Sequence, residues 1–128
     1  MTTWTSDELT GIGDADELHI AARRRDGTLR TPRTIWVVRV GDGLYVRSAH
    51  GTQAAWWRGT KATHEGWIEA GGIEKNVSFE DAAGRLDAEI DAAYWAKYGR
   101  YGAQFVDPVT NDESHATTIR LVPRAAAS

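Results

Sequence analysis

Four histidines, six tryptophans and a cluster of arginines are the side chains in this 128-residue chain best suited to chemistry. His19, His50, His64 and His115 show neither H-x-H nor H-E-x-x-H spacing, so they predict no metal site. His64 and Glu65 are sequence neighbours, and neighbours on a strand point to opposite faces. His50 is the candidate catalytic acid or base. It sits in the loop Ser48-Ala49-His50-Gly51, directly after a strand that ends at Arg47. A solvent-facing turn histidine is the plainer reading of the same position. Ser48 lies in no G-x-S-x-G elbow, so nothing supports a serine hydrolase. Gly11-Ile12-Gly13 fails as a dinucleotide fingerprint, because no strand precedes it and Asp16 occupies the sixth position. There is no phosphate loop of the GxxxxGK[ST] type, and with no cysteine there is no thiolate nucleophile, thiolate zinc site or disulfide.

Six tryptophans are many for a chain of this length, and their ordinary work is to fill a core. Trp36 and Trp95 are expected there. Trp56 and Trp57 differ, since adjacent residues on a short helix cannot face the same way. One of the pair should reach a rim, beside Arg58 and Lys61. An aromatic face next to cations suits a planar anionic ligand, with stacking for its ring and charge for its phosphate or carboxylate. Contact with another subunit is the competing use of Trp57. Arg30, Arg33 and Thr34 at one strand entrance should converge with Arg47 and Ser48 at the exit of the next strand. Like charges so placed call for an anion or nearby carboxylates.

The elements that must position these groups follow from periodicity and turn chemistry. Thr5-x-x-Glu8 is a capping box with Trp4 and Leu9 at staple spacing, and Gly11 and Gly13 are expected to end that short helix. Leu18, Ile20 and Ala22 alternate with a wetter face, and Asp26-Gly27 is a turn pair. Thr34 to Val40 is β-branched and aromatic, too continuous for a solvated edge, and Gly41-Asp42-Gly43 turns it into Leu44 to Ser48. Residues 52–59 fit a helical turn or two ended by Gly59. Trp67 to Ala70 and Ile73 to Phe79 form a hairpin around Gly71-Gly72. Asp81 to Tyr101 reads as a helix with Leu86, Ile90 and Tyr94 on one face and an Asp81–Arg85 pair in its first turn. Residues 103–115 read as a long polar loop suited to a lid or a partner contact, and Thr117 to Val122 as a final strand stopped by Pro123. The expected fold is therefore α+β: a six-stranded, mostly antiparallel split β-barrel with flanking helices. It forms a single domain over residues 1–124, with 125–128 a disordered tail.

A 41% hydrophobic and 26% charged composition fits one globular domain. No apolar run approaches the roughly 20 residues that span a bilayer. The first residues lack a basic n-region and an apolar h-region, so no secretory signal is read and the cytoplasm is the expected compartment. The net charge of −3 hides a split along the chain. Residues 1–18 carry five acids and no base, residues 19–64 nine bases against two acids, and residues 65–128 eleven acids against six bases. A basic middle between acidic ends favours a local anionic ligand over a surface that coats nucleic acid. Acidic helices that neutralise a basic sheet within the fold are the alternative.

The run Asp26-Gly27-Thr28-Leu29-Arg30-Thr31-Pro32-Arg33-Thr34-Ile35-Trp36-Val37-Val38-Arg39, followed by Gly41-Asp42 and Leu44-Tyr45-Val46-Arg47-Ser48, resembles DUF2255, a family of short bacterial proteins. His64-Glu65-Gly66, Ala70-Gly71-Gly72, Ile90-Asp91-Ala92-Ala93-Tyr94 and Lys97-Tyr98-Gly99-Arg100-Tyr101 extend the resemblance from Trp4 to Arg124. More distantly the chain is similar to the split-barrel flavin-binding superfamily, above all its deazaflavin-dependent, nitroreductase-like branch. This likeness implies a flavin- or deazaflavin-binding oxidoreductase acting on a small organic molecule, with FMN or a deazaflavin as cofactor and no metal. It implies Arg30, Arg33 and Thr34 at the cofactor phosphate, and Arg47, Ser48, Gly51 and Trp56 on the ring side. It also implies a homodimer, with no nucleic acid and no membrane partner. The branch's Asn after the helix aromatic is here replaced by Arg58-Gly59, and Ala54 stands in place of its Pro. A cofactor-free protein that binds or transforms a small organic acid, with His50 or a tyrosine as acid/base, is the second reading. An interaction module whose basic strip meets an acidic partner is the third.

Overall fold

The computed structural model describes residues 3–124. The strands are β1 (Leu18–Ala22), β2 (Arg33–Ile35), β3 (Val38–Val40), β4 (Gly43–Val46), β5 (Glu65–Ala70), β6 (Ile73–Asp81) and β7 (Ile119–Pro123). The helices are α1 (Ser6–Asp14), α2 (Ala55–Thr63), α3 (Asp87–Tyr98), α4 (Ala103–Thr110) and α5 (Asp112–His115). The strands form one sheet in the order β2-β1-β5-β6-β7-β4-β3, and every pairing is antiparallel. Its two edges, β2 and β3, are consecutive in the chain and separated only by Trp36 and Val37. A link that short spans at most about 10 Å, so the sheet must curl until its edges nearly meet.

The α+β class holds, but the sheet is an open, curled half-barrel of seven strands rather than a closed barrel of six. Thr34 to Val40 does not run as one strand. It breaks at Trp36-Val37, the first half pairing with β1 and the second with β4. Both halves are edge strands of three residues, short enough to offer little template for a foreign strand.

Alternation sorts the apolar residues onto two sides. Leu18, Ile20, Val37, Leu44, Val46, Ile68, Val77, Phe79 and Leu121 form the cluster that α1 covers through Trp4, Leu9 and Ile12. Val38 and Tyr45 pack instead with Ile90, Tyr94 and Tyr98 of α3 and with Val106 and Val109 of α4. The capping box forms as expected: Thr5 Oγ1 accepts from the Glu8 N–H at 3.1 Å, and Glu8 Oε1 accepts from the Thr5 N–H at 3.0 Å. Trp4 Nε1 donates to the Leu121 carbonyl at 3.0 Å, tying the start of α1 to β7.

Several boundaries differ from the sequence expectation. Gly11 and Gly13 lie inside α1, and Gly59 lies inside α2, which continues to a left-handed cap at His64. β6 extends to Asp81 and α3 begins only at Asp87, so the expected Asp81–Arg85 helix pair does not form: Asp81 ends the strand 3.9 Å from Lys61 Nζ, and Leu86 is exposed. Residues 103–115 fold as two short helices rather than a loop. Trp95, expected in the core, is 41% exposed. The expected tail at 125–128 lies outside the described residues.

Gly66 shows how tightly the curl is packed. A Cβ there would sit 2.3 Å from the Ala21 carbonyl oxygen and 2.7 Å from the Phe79 ring. Gly66→Ala is expected to lower stability by about 2–3 kcal/mol, measured by urea unfolding, since a backbone carbonyl cannot swing aside as a side chain can.

α3 holds the link between the two edges. The Val37 N–H donates to the Tyr98 hydroxyl at 3.2 Å, and that hydroxyl's single proton serves the Asp16 carbonyl at 2.8 Å or the Val37 carbonyl at 3.1 Å. Lys97 Nζ donates to the same Val37 carbonyl at 2.7 Å. Burial lowers the Lys97 pKa from 10.5 to about 8, against the opposing pull of Asp16 and Asp14. Between about pH 8 and 10.5 the unfolded chain therefore binds more protons at this position than the folded one, and stability should rise with pH in that window. Lys97→Met is expected to remove that rise, read as the urea midpoint against pH.

Candidate functional site

A cavity of about 530 Å³ opens where the sheet's edges approach each other. β2 and the link to β3 supply Arg33, Thr34, Ile35 and Trp36; the loop after β4 supplies Arg47, Ala49 and His50. The start of α2 adds Ala54, Ala55 and Trp56, and α4 adds Val109. The curl brings these segments together: a break in the Thr34–Val40 run carries the chain across the opening, and the turn at Gly41-Asp42-Gly43 returns it alongside. Trp36 stacks on Tyr98 with ring centroids 4.0 Å apart and planes 5° from parallel, which fixes its ring as a wall.

Of the residues expected at a site, Arg33, Thr34, Arg47, His50 and Trp56 line this cavity. The remaining four surround it or lie beyond it. Arg30 is exposed and packs against Gly59, where a Cβ would come within 3.0 Å of its Cδ and Nε. Ser48 is fully buried; its Oγ accepts from the His50 N–H at 3.2 Å, and its own N–H donates to Thr117 Oγ1 at 2.9 Å. Gly51 has a φ of +61°, which favours glycine, and a Cβ there would lie 3.3 Å from the Glu113 carboxylate. Trp57 Nε1 donates to the Thr117 carbonyl at 3.0 Å, and Lys61 Nζ lies 5.0 Å from its ring centroid. The two adjacent tryptophans thus diverge as their spacing requires, with Trp56 on the cavity and Trp57 bonded to the body of the fold.

The charges divide in the same way. Arg47 is 2% exposed, and four of its five guanidinium N–H donors are engaged within the fold. Nε donates to Thr118 Oγ1 at 2.9 Å, Nη1 to Asp91 at 2.5 Å and to the Val109 carbonyl at 3.0 Å, and Nη2 to Asp87 at 3.5 Å. His115 Nε2 lies 3.0 Å from both oxygens of Asp91. The acidic helix therefore neutralises part of the basic segment. Arg33 makes no ion pair among the described residues, so it is the cavity's uncommitted guanidinium. Thr34 Oγ1 lies 3.0 Å from His19 Nδ1, a histidine that sequence reasoning left without a role.

Burial raises the Tyr94 and Tyr98 phenols well above their usual range, Tyr94 despite the neighbouring Arg47, so both are neutral hydroxyls. Neither lines the cavity. Among the described residues, no group of three His, Cys, Asp or Glu side chains is arranged to hold a metal ion, and no helix is long and apolar enough to cross a membrane. Sequence reasoning missed Trp36 as a cavity wall, because a strand tryptophan reads first as core. It offered acidic helices as the neutraliser of the basic strip without naming Asp87 and Asp91, which stand at i,i+4 spacing on one helix and bond Arg47.

Three solved structures share the fold. An F420 reductase has 20% identity and a TM-score of 0.52, with 93% of each chain covered. HutZ, the heme storage protein from Vibrio cholerae, has 14% identity and a TM-score of 0.63, over 94% of this chain and 91% of that one. A FAD-binding protein from Mesorhizobium loti has 15% identity and a TM-score of 0.53, over 94% and 89%. At such identities the likeness is one of fold alone. No curated protein matches the sequence. The family described as an uncharacterized protein conserved in bacteria matches residues 8–121, nearly the whole length, and the chain belongs to it: DUF2255.

Proposed function

We propose that the cavity binds the ring of a flavin or deazaflavin, FMN being the simplest case, and that the protein is oxidoreductase-like toward a small organic molecule. One observation carries this reading: two tryptophans, Trp36 and Trp56, line the same cavity as an arginine without an ion-pair partner among the described residues, Arg33. Apolar walls with a few convergent polar groups at one side suit a planar ligand with an anionic end. The residues fit such a group in part. Arg33 can hold a phosphate, and Trp36, Trp56, Ile35 and Ala55 can hold a ring. Arg47 can offer a ligand one N–H at most, because its other four donors already have acceptors within the fold.

When bound, such a cofactor supplies hydride chemistry at its ring, and the protein's share is orientation and exclusion of water. His50, exposed on the cavity rim, is placed to exchange a proton with a substrate there. The homodimer implied by the resemblance belongs to the same reading and is checked by sedimentation. A cofactor-free site for a small organic acid is the second reading, favoured by the single uncommitted arginine, whose charge matches one carboxylate.

The experiment is to titrate the protein with FMN and with a deazaflavin cofactor while following tryptophan fluorescence. Micromolar quenching by either is expected. No quenching by either up to about 100 μM, already a weak affinity, would overturn the cofactor reading. Saturable binding of benzoate in its place would support the organic-acid reading.

A further inference from the structure

We propose that a second, shallow cleft, between Asp16 and Phe105, binds a small organic cation of the trimethylammonium class. The cleft has a volume of about 280 Å³ and is lined by Asp16, Glu17, Trp36, Tyr101 and Phe105. Three of these residues are aromatic and two are acids, and among the described residues no base lines it. The main cavity has the opposite character, with Arg33, Arg47 and His50 on its lining and no acid. Trp36 is common to both, so one tryptophan borders a basic cavity and an acidic cleft.

Contacts fix where the rings stand. Trp36 stacks on Tyr98, and its centroid lies 5.8 Å from that of Tyr101 with planes 25° apart. The Tyr101 hydroxyl donates to one oxygen of Asp16, and Arg100 Nη2 donates to the other at 2.5 Å. Tyr101 is thus anchored while still largely exposed, and Phe105 on α4 is 54% exposed. Neither is part of the two apolar clusters of the core.

Charge then selects the ligand. The bases nearby are committed: Arg100 to Asp16, with its guanidinium carbon 4.6 Å from the Tyr101 centroid, and Lys97 to the Val37 carbonyl. Glu17 is exposed and makes no ion pair among the described residues, so the lining keeps one carboxylate without a counter-charge. Aromatic faces attract cations through the ring quadrupole. A hard metal cation needs six or more oxygens, which two carboxylates do not supply when one already accepts from Arg100 and Tyr101. A methylated ammonium instead packs its methyl groups on rings and needs only a carboxylate nearby. A purely apolar partner would strip water from Glu17 without replacing it. A second copy meeting this face with its own would set like acids against each other.

The test titrates the full chain with choline at constant ionic strength, following the Trp36 indole and Phe105 amide signals by NMR. A saturable shift with a millimolar Kd is expected. Dimethylbutanol, the neutral isostere with carbon in place of nitrogen, should bind about fivefold more weakly. Glu17→Gln and Phe105→Ala, both at exposed positions, should each weaken choline about two- to fivefold, and Trp56→Ala, on the other cavity, should leave it unchanged. No saturable shift, equal binding of dimethylbutanol, or an affinity unaltered in both variants would overturn the proposal. Self-association that broadens the Phe105 signal, with no effect of choline, would overturn it in favour of a second copy. FMN quenching reports on the main cavity alone, so either reading can fail without the other.

Discussion

Arg47→Met is expected to destabilise the protein by about 3 kcal/mol, the largest effect of any single side chain outside the hydrophobic clusters. The guanidinium is buried, with donors directed at Thr118, the Val109 carbonyl, Asp91 and Asp87. Removing one partner of a buried ion pair usually costs about 3–5 kcal/mol, because the other charge is left without compensation. The lower end applies here. The side chains of Asp87 and Asp91 remain 33% and 28% exposed, so water can take up part of the lost interaction. His115, at 3.0 Å, also stays with Asp91. The loss should appear in the urea midpoint with little change in slope, and the double variant Arg47→Met/Asp91→Asn should recover part of it. A loss below about 1 kcal/mol would mean that the pair contributes no more than a surface one. The same variant frees the Val109 carbonyl, which ties α4 to the cavity wall, so ligand affinity should fall as well.

The second large effect concerns binding. Trp56→Ala is expected to weaken FMN by about 10- to 100-fold, because stacking of a planar heteroaromatic ring on an aromatic side chain is worth about 1–3 kcal/mol. Trp36→Ala should weaken binding similarly and also lower stability by about 1 kcal/mol, since it removes the stack on Tyr98. Trp57→Phe is the control. Its indole is committed to the Thr117 carbonyl, so stability should drop while FMN affinity holds. Arg33→Ala separates the two ends of the ligand. It should weaken FMN by about tenfold, the worth of a charge-assisted bond to phosphate, and leave riboflavin, which has no phosphate, unchanged. Equal losses for both ligands would place the phosphate elsewhere.

How far the sequence is legible depends on the range of the forces involved. The α1 cap, the Gly41-Asp42-Gly43 and Gly71-Gly72 hairpins and the alternation of β6 depend on residues a few positions apart, and they appear where the sequence puts them. Thr34 to Val40 reads as one strand because each residue favours extended backbone. Only the closure of the sheet makes the run change neighbours at Trp36-Val37. α3 starts late for a similar reason: residues 78–81 have helical spacing to their right, but ladder partners in β7 at Ile119 to Val122. At the site, Arg33, Thr34 and Trp56 line one cavity although β2 pairs with β1 and not in one hairpin with β4; the curl of the sheet, not the expected hairpin, brings them together. The commitment of Arg47 to Asp87 and Asp91 could not be read from spacing, since those partners lie 40 or more positions away.

The most direct measurement of the central claim follows the indole N–H signals of the six tryptophans by NMR as FMN is added. Trp36 and Trp56 line the cavity, whereas Trp4 and Trp57 are bonded to the Leu121 and Thr117 carbonyls. The expected result is a saturable shift of the Trp36 and Trp56 signals, with Trp4 and Trp67 unmoved. Shifts confined to the exposed Trp95, or no shift at any indole, would contradict a ring-binding cavity between the edges of the sheet.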